Sequence, residues 1–532
     1  MKRYSILMLT LATAAATTFT ACSEDFLTSA NAGSSRTVDD PADESALLGF
    51  AAAAYQPLLL DNYAPVRSSS GDGKFHSIML TADLRSDDVY RGGSNSGDAP
   101  ELWRLFTFTS EPSQTLNGLW NVCYMGLARS NQLIHACANT INVTPEQQKR
   151  FNAEAHFLRA YYTHLLWKNW GNVPYFTEAL EDPFVAPQYS AGEIYQFILN
   201  DLQVACDPDA LPMKNDADNI ARASLAAALM LKARVVLYQN DEARYGEITN
   251  DMATIIKSGQ YTLLPDFKAI WRDSGEFCDE SIFEANHLPK GKDWFGQQGL
   301  AGIYGGFGTV LPTMISPDEP KPVDTELDNV RGWAFAPVRA YAYEELYETG
   351  DVRRDGSINK WTKGTYKASF QNTGYFLAKY AARRSYGNTG STPLNFPNNV
   401  RIFRYAEALL NYAELVAKHG QAEMQGVGAQ NCYDLIRARA FFNKSPPDQP
   451  LNEATVELER RREFLGEGMR FWDLVRWGKA ADVLSENVGI PNTDIAYART
   501  FTNAKRYLPI PQGEIDKAKG TVHELKQNEG WN

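Results

Sequence analysis

Little in this chain can hold a metal, close a disulfide or cross a bilayer. Six cysteines occur in 532 residues. Apart from Cys22 they are Cys123, Cys137, Cys206, Cys278 and Cys432, an odd set in which no two stand at CxxC spacing. Neither a disulfide framework nor a zinc site is indicated, and their apolar surroundings predict mostly buried, inert thiols. The seven histidines are scattered without an HExxH. His156 and His164 lie about two helical turns apart, too far to chelate one ion together. No metal and no cofactor is called for. Basic charge is also short: 52 Lys and Arg face 64 Asp and Glu, a formal net charge of -12. An acidic surface repels phosphate backbones, which argues against nucleic acid as a partner.

Signatures of catalysis are equally scarce. Gly93-Ser94-Asn95-Ser96-Gly97 places Asn95 where a GxSxG elbow needs its serine. Gly71-Asp72-Gly73-Lys74 lacks the upstream glycine and the Ser or Thr of a phosphate loop. Asp324, Glu326 and Asp328 alternate like a calcium loop, but Asn329 replaces the glycine and Phe335 the closing Glu. A glycosidase needs two carboxylates about 5–9.5 Å apart. Asp87-Asp88 and Asp279-Glu280 are candidates only in the sense that any pair among so many acids is. The expectation is that this is not an enzyme.

What is present begins at the N-terminus. Lys2 and Arg3 precede a short apolar stretch, Ile6 to Ala16, and then Phe19-Thr20-Ala21-Cys22. The stretch is too short to span a bilayer, so residues 1–21 read as a cleaved export signal. The cysteine at the cut resembles the lipobox of bacterial lipoproteins, although Phe19 stands where a Leu is usual. That resemblance implies lipidation of Cys22, with several acyl chains giving a stable anchor where one would be marginal. Losing Lys2 and Arg3 takes the net charge from -12 to -14. Ser23-Glu24-Asp25 resembles the acidic tag that directs some lipoproteins to the outer face. Residues 22–43, rich in Ser, Thr and Asp, read as a tether.

Beyond it, 44% hydrophobic and 12% aromatic residues supply ample core. Apolar residues at helical spacing recur at Leu158, Tyr161, Tyr162 and Leu165, and at Leu225, Leu229, Ala233 and Val236. The period is cleanest through Ile402, Tyr405, Ala406, Leu409, Ala413 and Val416, and predicts a helix over Asn399 to Ala417. Further helices are expected at Ala429 to Ala440 and Ala454 to Phe464. No fixed 34-residue repeat is evident. Between Pro289 and Gly332 the texture changes: eight glycines and five prolines are interleaved with aromatics. The fold class expected is mainly α, an irregular scaffold of tetratricopeptide-like helical pairs with an inserted loop-rich lobe. Arg159, Glu407, Glu414, Glu463 and Arg470 sit among apolar residues, where ions persist only if paired. They read as struts between helix ends, and Trp472, Trp477 and Trp531 as core.

Several blocks together resemble the RagB/SusD family of nutrient-binding outer-membrane lipoproteins. They are Ala153-Glu154-Ala155-His156-Phe157-Leu158-Arg159-Ala160-Tyr161-Tyr162, Trp170-Gly171-Asn172-Val173-Pro174, and Arg404-Tyr405-Ala406-Glu407-Ala408-Leu409-Leu410-Asn411-Tyr412-Ala413-Glu414. Next come Arg461-Arg462-Glu463-Phe464 with Arg470-Phe471-Trp472-Asp473-Leu474-Val475-Arg476-Trp477-Gly478. Leu508-Pro509-Ile510-Pro511 and Gln527-Asn528-Glu529-Gly530-Trp531 close the series. The resemblance implies one SusD-like domain over 44–532. Its helical scaffold would span 44–280 and 399–480, its ligand lobe about 281–398, and its C-terminal signature 505–532. It further implies a surface-exposed lid on a SusC-like TonB-dependent outer-membrane barrel, passing oligosaccharide inward. Alternatives are a peptide ligand, a glycoside hydrolase, or a scaffold that binds its barrel and no small ligand. Sugar rings pack their C–H faces on aromatic rings and need polar partners for their hydroxyls. Trp294, Tyr304, Trp333 and Trp103 are the aromatic candidates, with Asp293, Gln297, Gln298 and Asn95 as polar ones. This placement is regional, since no motif fixes the contacting residues.

Overall fold

The computed structural model describes residues 43–61, 77–287, 308–322, 324–328, 330–386, 396–441, 446–491 and 493–531. Cys22, Asp293, Trp294, Gln297, Gln298 and Tyr304 lie outside the described residues. So does the tether apart from Asp43, whose carboxylate accepts from Ala46 N at 3.0 Å and caps the first helix.

The first half of the chain is helical. It contains α1 (Glu44–Tyr55), α2 (Pro100–Thr107), α3 (Asn117–Asn139), α4 (Pro145–Trp170), α5 (Ala191–Ala205), α6 (Leu225–Gln239) and α7 (Tyr245–Lys257). Local chemistry sets the ends. Before α4, the Thr144 hydroxyl accepts from Gln147 N while the Gln147 side chain accepts from Thr144 N, and Pro145 opens the first turn. Ser190 and Glu193 cap α5 in the same reciprocal way. α4 stops at Gly171, whose φ is +69° and where a Cβ would come within 2.8 Å of the Tyr507 ring.

Helicity returns in α8 (Tyr405–Ala417), α9 (Ala429–Ala440), α10 (Glu453–Phe464) and α11 (Arg470–Arg476). Consecutive helices pack pairwise: α3 on α4, α4 on α5, α6 on α7, α8 on α9. α7 also packs on α8, which joins the two halves. Ala226, Ala227, Ala228, Ala406 and Ala413 are fully buried, and their small side chains let neighbouring helices approach closely. Among the described residues the main hydrophobic core runs from Leu47 to Leu525, with a small second cluster of Ala382, Tyr386 and Phe396.

Strands are short and pair two by two, all antiparallel: β1 (Val173–Pro174) with β2 (Gln188–Tyr189), β3 (Ser281–Ala285) with β6 (Val400–Arg404), β4 (Ile358–Lys360) with β5 (Tyr375–Leu377), and β7 (Glu486–Gly489) with β8 (Ala496–Arg499). The β3–β6 ladder corrects the expected helix start at Asn399. Residues 400–404 are strand, and Ile402 belongs to it. Ile402 stands three and four residues before Tyr405 and Ala406, so it fits the helical stripe by accident of spacing. The ladder also has an architectural consequence. The chain leaves the scaffold at β3 and returns beside its point of departure at β6, so the excursion between them is closed at its base.

The ionised residues expected as struts are paired. Arg159 meets Asp201 at 2.6 Å, Glu407 meets Arg234 at 2.6 Å, and Arg470 meets Asp87 at 2.9 Å. Glu414 bridges Arg476 and Arg460. Glu463 is the hub: Arg353, Arg404 and Arg439 all reach it, and Arg404 continues to Glu280 and Glu467. Burial alone would raise the Glu463 carboxyl, but Arg439, Arg404 and Arg353 outweigh it and hold it at about 2. Arg353 comes from the excursion and Glu463 from α10, so the network fastens lobe to scaffold.

Cys123, Cys137 and Cys432 are buried free thiols, and burial pushes Cys137 and Cys432 up to about 12. Cys206 and Cys278 are half-buried. His156 pairs with Asp201, and His164 hydrogen-bonds the Tyr161 carbonyl. Of the three tryptophans expected as core, Trp472 alone is buried. Trp477 and Trp531 are half-buried at its edge, because each indole N–H is held by a partner there, Glu414 and the Tyr507 carbonyl. Among the described residues no helix is long and apolar enough to cross a membrane.

Candidate functional site

Residues 332–339 cross the excursion with left-handed φ at Ala334 and Ala336 (+56° and +52°), stitched on both sides. On one side Gly332, Trp333, Ala334 and Phe335 donate their N–H groups to the carbonyls of Pro317, Thr313, Ser316 and Met314 at 2.8–3.0 Å. On the other, Gly93 N donates to the Ala334 carbonyl at 2.9 Å, Ala336 N to Arg91 at 3.0 Å, and Tyr90 N to Pro337 at 2.9 Å. Backbones this close exclude side chains at two points. A Cβ on Gly332 would lie 2.0 Å from the Ser316 oxygen, and one on Gly92, at φ +73°, 2.1 Å from the Ala334 oxygen. This three-segment seam is the floor of an open cleft with a cavity volume of about 450 Å³.

Trp333, half-buried, and Phe335, buried, contribute the aromatic part of the cleft. The loop after Gly93 forms one rim. There Asp98 accepts from the Ser94 N–H and hydroxyl, both at 2.9 Å, and Ser94, Asp98 and Ala99 face the cavity. Asp318, Arg331 and Ser369 complete the lining. Arg331 Nε donates to Asp318 at 2.6 Å and Lys367 Nζ lies 3.2 Å from its other oxygen. Partial burial would raise the Asp318 carboxyl, but these two cations outweigh it and hold it below its ordinary value. It is a charged acceptor, unlike the raised carboxyl that a glycosidase acid requires. The acidic pairs weighed from the sequence are elsewhere and engaged: Asp87 and Asp88 with Arg461, Asp279 with Lys214, Glu280 with Arg404 and Arg439. Glu326 of the calcium-like run pairs with Arg272, and no acidic or histidine cluster able to hold a metal occurs among the described residues.

Of the expected site residues, Trp333 lines the cleft. Asn95 is on the rim loop, but its side-chain Oδ1 accepts from Gly97 N at 2.9 Å, so it shapes the loop from within. Trp103, on α2, lies one layer back, edge-on to Tyr497 at 4.5 Å and 5.9 Å from Phe370. Asp293, Trp294, Gln297, Gln298 and Tyr304 fall outside the described residues. Sequence reasoning missed Asp98, Asp318, Arg331 and Phe335. Only Asp98, which follows the Gly93–Gly97 run, had a local signal.

Known proteins agree with this architecture. Residues 283–531 match the model of the SusD family, and residues 89–237 match a SusD-like family described as starch-binding and associating with the outer membrane. A surface glycan-binding protein A from Bacteroides fluxus is 51% identical, with a TM-score of 0.85, over 92% of this chain and 100% of that one. The chain belongs to the SusD family. Another SusD-type relative, surface glycan-binding protein A from Bacteroides thetaiotaomicron, was solved in complex with laminarihexaose. It is 34% identical, with a TM-score of 0.78, over 91% of this chain and 99% of that one. SusD-like protein P38 from Formosa agariphila is 25% identical over 79% of this chain and 83% of its own length. Membership also explains the block pattern in the sequence: Arg404, Glu414, Glu463 and Arg476, all within family blocks, are buried members of the ion-pair network.

Proposed function

We propose that this SusD-family protein captures a laminarin-type gluco-oligosaccharide at the cell surface, in the cleft floored by Trp333. One observation carries the reading: a half-buried indole stands in an open cleft beside Ser94, Asp98 and Arg331, ringed by hydroxyl, carboxylate and guanidinium groups. An aromatic face with convergent polar groups is what an uncharged sugar chain needs. The full-length likeness to a protein solved with laminarihexaose supports the choice of sugar. Binding without turnover is the corresponding activity. Trp294 and Tyr304 supply further rings in this proposal, and Asp293, Gln297 and Gln298 polar contacts, on the sequence alone.

In the same reading the protein is anchored by lipid on Cys22, faces the exterior, and hands its glycan to a TonB-dependent barrel. Calorimetry with laminarihexaose, maltohexaose and a mixed peptide pool tests the ligand. Laminarihexaose should bind, with Trp333→Ala weakening it roughly thirtyfold or more, as for a central aromatic anchor, and Trp333→Phe much less. Full affinity in a folded Trp333→Ala protein would move the site elsewhere, and heat from peptides alone would replace the glycan reading.

A further inference from the structure

Arg91 lies directly behind the cleft and has no exposed surface, so it does not meet a ligand in this arrangement. Its guanidinium carbon is 5.4 Å from the Trp103 ring, 5.4 Å from Phe370 and 5.8 Å from Phe335. These rings come from α2, from the segment following Ser369, and from the cleft floor. The same guanidinium donates to the carbonyl of Asn95 at 2.8 Å and to that of Asp98. Its own carbonyl accepts from Ala336 at 3.0 Å. One side chain thus links the Ser94–Ala99 loop, the Phe335 floor and the Phe370 segment.

We propose that Arg91 is the positioning residue of this cleft, pinning the Ser94–Ala99 rim to the aromatic floor so that Ser94, Asp98 and Trp333 are in place before ligand arrives. The inference rests on the glycan-capture reading for its functional half. Only arginine suits the task. A planar fork can serve two carbonyls at once while its faces stack on rings, and an ammonium cannot. Burial drags its pKa down to about 10, with Asp98 and Glu101 partly offsetting the loss, so it remains a cation at neutral pH. The rim has little else to hold it. Ser94, Asn95, Ser96 and Gly97 are exposed, and the side-chain bonds of Ser94 and Asn95 run within the loop. Without the fork, the loop would have to be ordered at the moment of binding, at a cost in affinity.

The test uses Arg91→Met, which keeps an apolar stem and removes the donors, and Arg91→Lys, which keeps the charge without the fork. Laminarihexaose affinity is measured by calorimetry, and amide exchange is followed at residues 94–99, with α9 as an internal reference. In Arg91→Met, affinity should fall roughly tenfold or more, the cost of ordering a released loop. Exchange at 94–99 should quicken in the free protein and slow again when sugar saturates it, with α9 unchanged. Arg91→Lys should fall between, and it carries the measurement if Arg91→Met does not fold. Unchanged exchange at 94–99 would overturn the proposal, whether or not affinity fell, since lost affinity with a still rim means direct contact. Faster exchange with undiminished affinity would overturn it too. If the unsubstituted protein gives no heat with laminarihexaose, the glycan-capture reading fails, and the exchange arm still decides whether Arg91 holds the rim.

Discussion

At the scale of single residues, the cleft depends on groups whose partners are far away in sequence. Gly92 touches the Ala334 carbonyl, and its N–H donates to Gln371 at 3.0 Å. Gly92→Ala must therefore push the Ala334 backbone away and also hold a left-handed φ, and it should cost ~1–3 kcal/mol of stability. The expected readout is a lowered thermal midpoint together with weaker sugar binding. An alanine protein as stable as the parent would mean the seam yields more easily than its geometry suggests. Trp333 was legible as a ring in an aromatic-rich stretch. Asp318 and Arg331 were not, because an acid and a base thirteen positions apart look like any other charges in a sequence until the chain folds back on itself. Arg91 was hidden for the same reason: the rings around it lie 12, 244 and 279 positions away.

At the scale of elements, the helices were readable wherever apolar residues kept the 3.6 period, and α9 matches its expected bounds, Ala429–Ala440. β6 was not readable, since all five of its residues are buried and its two arginines are buried along with the apolar ones. A strand whose charges are inside, satisfied by partners from other segments, has no outward polar face to betray its period of two. Those inward charges govern acid stability. Glu463 and Asp87 are each held at about 2, below the ordinary carboxylate value of about 4. For depressed carboxyls the stabilisation is complete above the unfolded value and is lost as pH falls from about 4 towards 2. Glu276, raised by burial to about 7, and Asp61, raised to about 6, act oppositely and favour folding as pH falls from 7 towards 4. The thermal midpoint should thus rise modestly between pH 7 and 5 and drop steeply below about 4. Glu463→Gln should cost ~3–5 kcal/mol at neutral pH, because it leaves buried guanidiniums uncompensated, and should soften the acid limb. A cost under about 1 kcal/mol would show that the hub is dispensable.

At the scale of the whole molecule, the same hub explains what the sequence could and could not say about function. The family blocks are largely scaffold, so they announce the architecture while leaving the ligand contacts unmarked. For anchoring, Cys22→Ala should move the protein from the membrane fraction to the soluble one, and mass spectrometry of the native N-terminus should find Cys22 acylated. An unmodified Cys22 in membrane-bound material would remove the lipoprotein reading. Purification in mild detergent should recover the barrel partner with it. The two kinds of ion pair in this protein also meet dissolved salt very differently. Arg353 and Glu463 have no exposed side-chain surface, whereas Arg331 and Lys367 at the cleft rim are 67% and 55% exposed. Mobile ions screen exposed charges over about 8 Å at physiological strength and hardly reach buried ones. Brine should therefore loosen the rim around Asp318 while leaving the body's cohesion unchanged, making ionic strength a dial on the mouth of the cleft alone.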